Sequence, residues 1–498
     1  MRRDTASIWR LQWPEQVLDS NDFRAVSAGL WNWPQFTAVI VKILLVSWYF
    51  PPSNTIAAVR LGKLAKHLLG SGHGLRVLTG KNPPYPATLK VEIDESLVDR
   101  TAWKDMTSLP NWAVSLARRV GVARSAKEKA KVPEGRPEPA NAPPPTTPQP
   151  ESKRRFQSIR RRLFTLYELL FFFPDLRIGW APDARRRGLQ IIRDWRPDVL
   201  FASGPPFTTL LVGYLLSRAS GVPLVVEFRD RWWDDPYWSP PRWRQLCDRW
   251  LESRIVRQAA GLTTVSEPWA VTFRKRYGKP VAVIPNGYDA EDFHGTIGQG
   301  WPDPDALRIA YTGGIYPGYR DPSPLFRAIG SSAELKKRVQ VHFYGSNPRL
   351  LSGLAREHGV EKSVIIHDRV DHVEALRVQQ ESDILLLMQW DNPREQGNVP
   401  GKLAEYFGAR RPILVLGLAD GVPATEVKTR SAGAASTNPD AIAEWLTECL
   451  ATKRQEGKLP PLTDQAVAGL SRAEQAAKLE RFLMQVLQAS GGAARGPG

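Results

Sequence analysis

Short, unbroken apolar runs alternate along this chain with longer amphipathic ones, and that rhythm limits the fold more than any other feature. Residues 42–80 read KILLVSWYFPPSNTIAAVRLGKLAKHLLGSGHGLRVLTG. Ile43–Ser47 is a buried strand by its continuous apolarity. Leu61, Leu64, Ala65, Leu68 and Leu69 then recur at the spacing of one buried helical face. Gly70, Gly72 and Gly74 end the helix, and a second strand follows at Leu75–Thr79. Strand, helix and strand with short connections argue for a parallel sheet. Further strands are expected at Val199–Ala202, Leu224–Phe228, Val281–Pro285, Gln340–Tyr344, Val364–His367, Ile384–Met388 and from Pro412 through Leu416. The fold class is α/β.

The 498 residues give room for two or three domains with proper cores. Lys and Arg total 68 against 51 Asp and Glu, a formal charge of +17. That balance favours anionic partners, such as nucleotide diphosphates or anionic membrane surfaces. Nucleic acid is set aside, because no zinc spacing, RNP motif or recognition helix is present. Cys247 and Cys449 lie far apart and suggest neither a disulfide framework nor a metal site, which fits a reduced cytoplasmic compartment. No apolar run approaches the roughly 18 residues of a membrane span. Arg2 and Arg3 are followed by no apolar core or cleavage site of a signal peptide. Trp232, Trp233, Trp238, Trp243 and Trp250 cluster in polar sequence and suit a partly exposed amphipathic surface.

Residues 1–40 lack periodicity and read as a disordered extension. A first domain is expected over 41–275, interrupted at 126–155 by a Pro-rich, charged insertion that cannot form a core. The run Lys153, Arg154, Arg155, Arg160, Arg161 and Arg162 precedes LFTLYELLFFF. Read one way, 153–173 docks on an anionic leaflet at the inner face of the cell membrane; read the other, it is a core helix behind a solvated charge run. A second domain is expected over 276–460. A last helix over 461–490, with Ala466, Leu470, Ala473, Ala477, Leu479, Phe482 and Leu483 inward, is expected to cross back onto the first domain.

Chemistry concentrates at 397–416, GNVPGKLAEYFGARRPILVL. A loop there delivers a helix start near Gly401 beside strand ends, where free amides and the helix dipole suit phosphate. Lys402 adds a positive charge in the first turn, and Glu405 lies one turn on with a carboxylate for sugar hydroxyls. In RIAYTGGIYPGYR, Gly313 and Gly314 allow close backbone approach, and Arg320 can reach a diphosphate. The loop Tyr49–Ala57 leaves the first strand at its carboxyl end, where open α/β sheets bind ligands. No phosphate loop, zinc-protease helix or nucleophile elbow occurs.

Pro400, Lys402, Glu405 and Tyr406 form P-x-K-x-x-E-Y, which resembles the donor-nucleotide signature of GT-B retaining glycosyltransferases of family 4, in the polysaccharide-synthesis branch. YFPP, RIGW, SGPP, FRDRW and PNGYD resemble other family text in the same order, so the resemblance covers roughly 42–125 and 156–485. It implies two facing Rossmann-like domains with parallel sheets and an interdomain cleft. The implied reaction is retaining transfer of a sugar from a nucleotide-sugar donor to a hydroxyl of a polysaccharide or lipid-linked acceptor, with no cofactor and no metal. Gly313, Gly314, Arg320, Lys402 and the Gly401 amide would take the diphosphate, and Glu405 the ribose. Two departures stand out. The family's first glutamate falls on Gly397, leaving Asn398 for the sugar, and its loop glycines are replaced by Ser53, Asn54 and Thr55. Arg229 stands where many members have a histidine that contacts the donor sugar and could serve a phosphate or hydroxyl as a catalytic residue, and Asp230 could accept a proton from, or orient, an acceptor hydroxyl. The alternatives are a non-hydrolysing sugar-nucleotide epimerase-like GT-B enzyme and an inactive GT-B scaffold that binds an anionic partner.

Overall fold

A computed structural model describes residues 40–106, 172–293, 301–316 and 318–491. The expected extension up to residue 39, the Pro-rich insertion and the basic–apolar run up to residue 171 lie outside the described residues. Two parallel sheets organise the rest. The first holds β1 (Lys42–Val46), β2 (Gly74–Gly80), β3 (Val98–Thr101), β4 (Val199–Gly204), β5 (Leu224–Phe228), β6 (Gly261–Thr264) and β7 (Val281–Val283), in the order β3-β2-β1-β4-β5-β6-β7. The second holds β8 (Leu307–Thr312), β9 (Val339–Tyr344), β10 (Val364–His367), β11 (Ile384–Met388), β12 (Ile413–Leu416) and β13 (Gly433–Ala435), ordered β10-β9-β8-β11-β12-β13.

The unbroken apolar runs have a simple cause: both faces of each sheet are covered. In β1, Leu44 and Val46 pack under the helices Ala181–Trp195, Phe207–Ser220 and Arg242–Gln258. Ile43 and Leu45 face the opposite way, against Leu61, Leu64 and Leu68 of the helix Ile56–Gly70. In the second sheet, Leu386 and Leu414 join the cluster of Leu325, Phe326 and Ile329, while Leu385 and Val415 join that of Leu403 and Phe407. Each such side chain contributes about 1.5–3 kcal/mol on burial. Strand order reverses beside β1 and beside β8, and these switch points bring the loops after β1 and β4, and after β8 and β11, to where ligands bind in such sheets.

Three expectations change. The first sheet does not stop at 275: Leu262 pairs with Val281, so β7 belongs to it and the boundary moves past Val283. The chain returns there because Gly278, at φ 61, ends the helix Glu267–Tyr277 with a left-handed turn. The closing helix breaks into Asp464–Val467 and Arg472–Ala489, the second started by a reciprocal Ser471–Glu474 capping box. Its inward face is Ala476, Leu479, Phe482, Leu483 and Val486, with Ala473 exposed, and it packs on the first domain. A Cβ at Gly261 would lie 2.8 Å from Phe482 Cζ. Trp232 is not on a surface: it is 3% exposed and stacks on Phe207. Among the described residues, no helix is long and apolar enough to cross a membrane.

Candidate functional site

The loop after β8 and the helix Gly401–Gly408 meet at Gly313. Its φ of 145° suits glycine, and a Cβ there would lie 2.0 Å from Lys402 Nζ. Gly313 therefore makes room for the lysine. The ammonium rests 4.4 Å from the Tyr311 ring centroid, and no described residue accepts a hydrogen bond from it. Desolvation, with the nearby Arg320 acting in the same direction and Glu405 opposing, lowers the Lys402 pKa to about 7. Arg320 donates to the Gly314 carbonyl at 3.3 Å and lies 4.8 Å from the Tyr316 ring. Pro400 is the N-cap residue and gives no side-chain cap, so the first-turn amides at Gly401 keep their donor capacity. A Cβ on Gly401 would lie 3.1 Å from Ile56, which brings the loop Tyr49–Ala57 of the first domain opposite this helix start.

Glu405 accepts from His372 Nε2 and from Gln379 Nε2, each at 3.3 Å. Burial works against its ionisation, but these donors and the charges of His372 and Lys402 outweigh it and hold the carboxyl below its ordinary value. The hydrogen bond to Glu405 in turn raises the His372 pKa. Gln379 is fully buried and also donates to Thr312 at 3.2 Å, which ties Glu405 to the end of β8. Neither His372 nor Gln379 carries a local motif. Only the approach of their helix, His372–Glu381, to Glu405 identifies them.

The Gly397 departure has a steric cause. At φ 89°, its missing Cβ would lie 2.2 Å from Trp269 Cδ1. Ser266 Oγ donates to the Gly397 carbonyl at 2.6 Å, and Trp269 Nε1 to the Gln396 carbonyl at 3.1 Å. A glutamate cannot stand there. The buried acid of this loop is Glu395, two residues earlier, 4% exposed and raised in pKa chiefly by burial, whereas Asp391 is exposed. Tyr237 from the first domain donates its hydroxyl to Glu395 at 2.5 Å, and Asn398 Nδ2 does so at 2.7 Å. The Asn398 amide, expected to face a sugar, is thus engaged with Glu395.

Across the cleft, the residues that replace the loop glycines have local work. Thr55 caps the helix Ile56–Gly70 by accepting from Ala58 N at 3.1 Å, and Asn54 donates to Thr88 at 2.7 Å. Behind them, Tyr49 and Tyr85 hydroxyls lie 3.1 Å apart, and Arg177 donates to Tyr85 at 3.3 Å. The Arg177 guanidinium sits over the rings of Trp48 and Trp103 at 5.2 and 5.5 Å. Arg177 opens the RIGW motif, but Tyr85 and Trp103 belong to no motif, and the three meet only because the fold brings different loops together. Arg229 donates to the carbonyls of Gly204 and Pro205 and lies 4.0 Å from Glu227. These bonds fasten the loop after β4. Asp230 follows it, and its charge acts on Arg229.

Residues 57–287 match the family described as Glycosyl transferase 4-like domain. The chain is similar in structure to a glycosyltransferase from Rickettsia africae ESF-5, at 12% identity over 90% of this chain and 99% of that one, with a TM-score of 0.50. Sucrose-phosphate synthase from Thermosynechococcus elongatus gives 13% identity, 90% and 100% coverage, and a TM-score of 0.54. The lipopolysaccharide outer core galactosyltransferase WaaB in its apo form gives 12%, 89% and 99%, and 0.52. No curated protein matches the chain in sequence. At such identities the likeness is one of fold, the GT-B arrangement of two parallel sheets with helices. The family match over the first domain, together with that fold, supports a glycosyltransferase enzyme.

Proposed function

We propose that the protein is a retaining glycosyltransferase that moves a sugar from a nucleotide-sugar donor to a hydroxyl of a polysaccharide or lipid-linked acceptor. One observation carries the donor side: the Lys402 ammonium stands at an uncapped helix start, near Arg320, with no described acceptor and a pKa lowered to about 7. A diphosphate supplies the missing negative charge. Its charge grows as the sugar bond breaks, so Lys402, Arg320 and the Gly401 amide stabilise the transition state more than the ground state. Gly313 and Gly314 keep side chains out of the diphosphate's path, and Pro400 leaves the helix start open. Glu405, ionised and held by His372 and Gln379, accepts from the ribose hydroxyls. Asn398 acts through Glu395, which it fixes at the sugar end of the loop. Positive charge from these side chains and the helix dipole suffices for the leaving group, so the proposal includes no metal.

On the acceptor side, Tyr49, Tyr85 and Arg177 offer hydroxyl and aromatic contacts suited to a sugar face. Asp230 would orient the acceptor hydroxyl, and Arg229 keeps the loop after β4 in place. The retaining course and the acceptor class rest on the resemblance of 397–416 and its companion motifs.

A thermal-shift and calorimetric screen against UDP, GDP, ADP and dTDP sugars tests the reading. A ligand that binds only the folded state raises its apparent stability. One nucleotide class should shift the parent and not Glu405→Ala. No shift with any of them would overturn the proposal.

A further inference from the structure

The helix Arg242–Gln258 sorts its charges by face. Its two acids point inward. Asp248 is 1% exposed and pairs with Arg244 at 3.0 Å, and Glu252 accepts from Trp233 and Arg276. The outward side carries cations and large apolar groups instead. Trp243, Leu246 and Trp250 are 43, 64 and 58% exposed. Arg242, Arg249, Arg254 and Arg257 are exposed among them, and no acid of this helix is. Positions 243, 246 and 250 share one helical stripe about 10 Å long. Such a stripe in a water-soluble surface would normally be turned into a core, because exposing it forgoes the hydrophobic gain.

The neighbouring helices extend the pattern. Gln258 donates to Ser217, which fastens Arg242–Gln258 beside Phe207–Ser220. Between that helix and Ala181–Trp195 runs a groove lined by Leu189, Leu211 and Leu215 with Arg185, Arg186 and Arg193. Tryptophan rings favour the boundary between water and hydrocarbon, and arginines bind phosphate oxygens in the plane above it. A second copy of this chain is a poor occupant, because two arginine-rich faces on molecules of charge +17 repel.

We infer that the outer face of the helix Arg242–Gln258 docks on an anionic lipid bilayer, with Trp243, Leu246 and Trp250 entering the interface and the arginines meeting headgroup phosphates. The expectation of membrane docking through 153–173 concerned a different stretch, and this surface stands without it. Nor does it depend on the donor reading, because vesicle binding requires no nucleotide sugar.

The test is co-sedimentation of the full chain with vesicles of phosphatidylcholine alone or mixed 7:3 with phosphatidylglycerol. The parent should bind the anionic vesicles at least tenfold more tightly and lose that preference in concentrated salt. The triple variant Trp243→Ser, Leu246→Ser, Trp250→Ser should bind them at least tenfold more weakly at unchanged melting temperature. Arg242→Gln with Arg257→Gln should weaken binding severalfold and flatten the salt dependence. Equal binding by parent and triple variant would overturn the inference, as would absence of parent binding. So would a parent oligomer that the triple variant dissolves, since that would assign the face to a protein contact.

Discussion

The two edges of the cleft solve the same electrostatic problem in opposite ways. At the first-sheet edge, charges are matched within the protein: Arg60 meets Glu227 at 2.6 Å and the carbonyls of Ile284 and Pro285 at 2.7 Å, with Glu227 only 1% exposed. At the second-sheet edge, Lys402 meets an aromatic ring and an open helix start, and burial lowers its pKa to about 7. A matched edge holds the domains in register and is complete without ligand. An unmatched one has free energy to gain from an anion. The proposed donor site lies on the unmatched side.

The comparison breaks most easily at its matched edge. Arg60→Met removes the nearest cation from buried Glu227, leaving it Ser203 and the more distant Arg229, and should cost about 3 kcal/mol of stability, read by denaturant melts. A loss below 1 kcal/mol would mean that this edge is not matched as described.

Lys402→Met should do the reverse. Turnover should fall about 10²- to 10³-fold, equivalent to about 3–4 kcal/mol, while the folded protein gains stability in acid. The folded Lys402 pKa lies below its ordinary value, so below about pH 7 both states are protonated and the burial cost is fully felt. Above it the folded lysine is neutral while the unfolded one still binds a proton, so stability rises with pH. The variant should therefore outmelt the parent by more at pH 6 than at pH 9. The stability difference is on the order of 1–2 kcal/mol, given a partly open cleft.

Arg320→Ala should lower turnover more than donor affinity, because its charge partner develops in the transition state. An unchanged rate would remove Arg320 from the leaving-group site. Glu405→Ala should weaken nucleotide-sugar binding by about tenfold to a hundredfold, the scale of hydrogen bonds to a charged group. The smallest effect sharpens the contrast directly. At pH 8, diphosphate binding should take up close to one proton as Lys402 recharges, measured by calorimetry in buffers of different ionisation enthalpy. Lys402→Met should abolish the uptake.

Much of this was legible in the sequence. Leu224–Phe228, Val364–His367 and Ile384–Met388 occur at the expected bounds, because strands of a covered parallel sheet read as short, mainly apolar runs, of which Ile384–Met388 is the fully apolar and fully buried case. The helix start at Gly401 was readable from a proline, a glycine and the strand that follows. Gly397 was readable only as an anomaly. Its reason, the Trp269 ring 128 positions earlier, is a contact between the two halves of the molecule.

Local sequence thus determined most of the elements, their parallel pairing and the lysine and glutamate of the helix Gly401–Gly408, since propensity and periodicity act over a few residues. The tertiary structure alone decided that Gly313 seats Lys402, that His372 and Gln379 hold Glu405, and that Tyr237 reaches Glu395. It also turned Asp248 and Glu252 inward and left the tryptophans beside them in water. Burial and through-space charge fix these features, and neither quantity is a property of sequence neighbours.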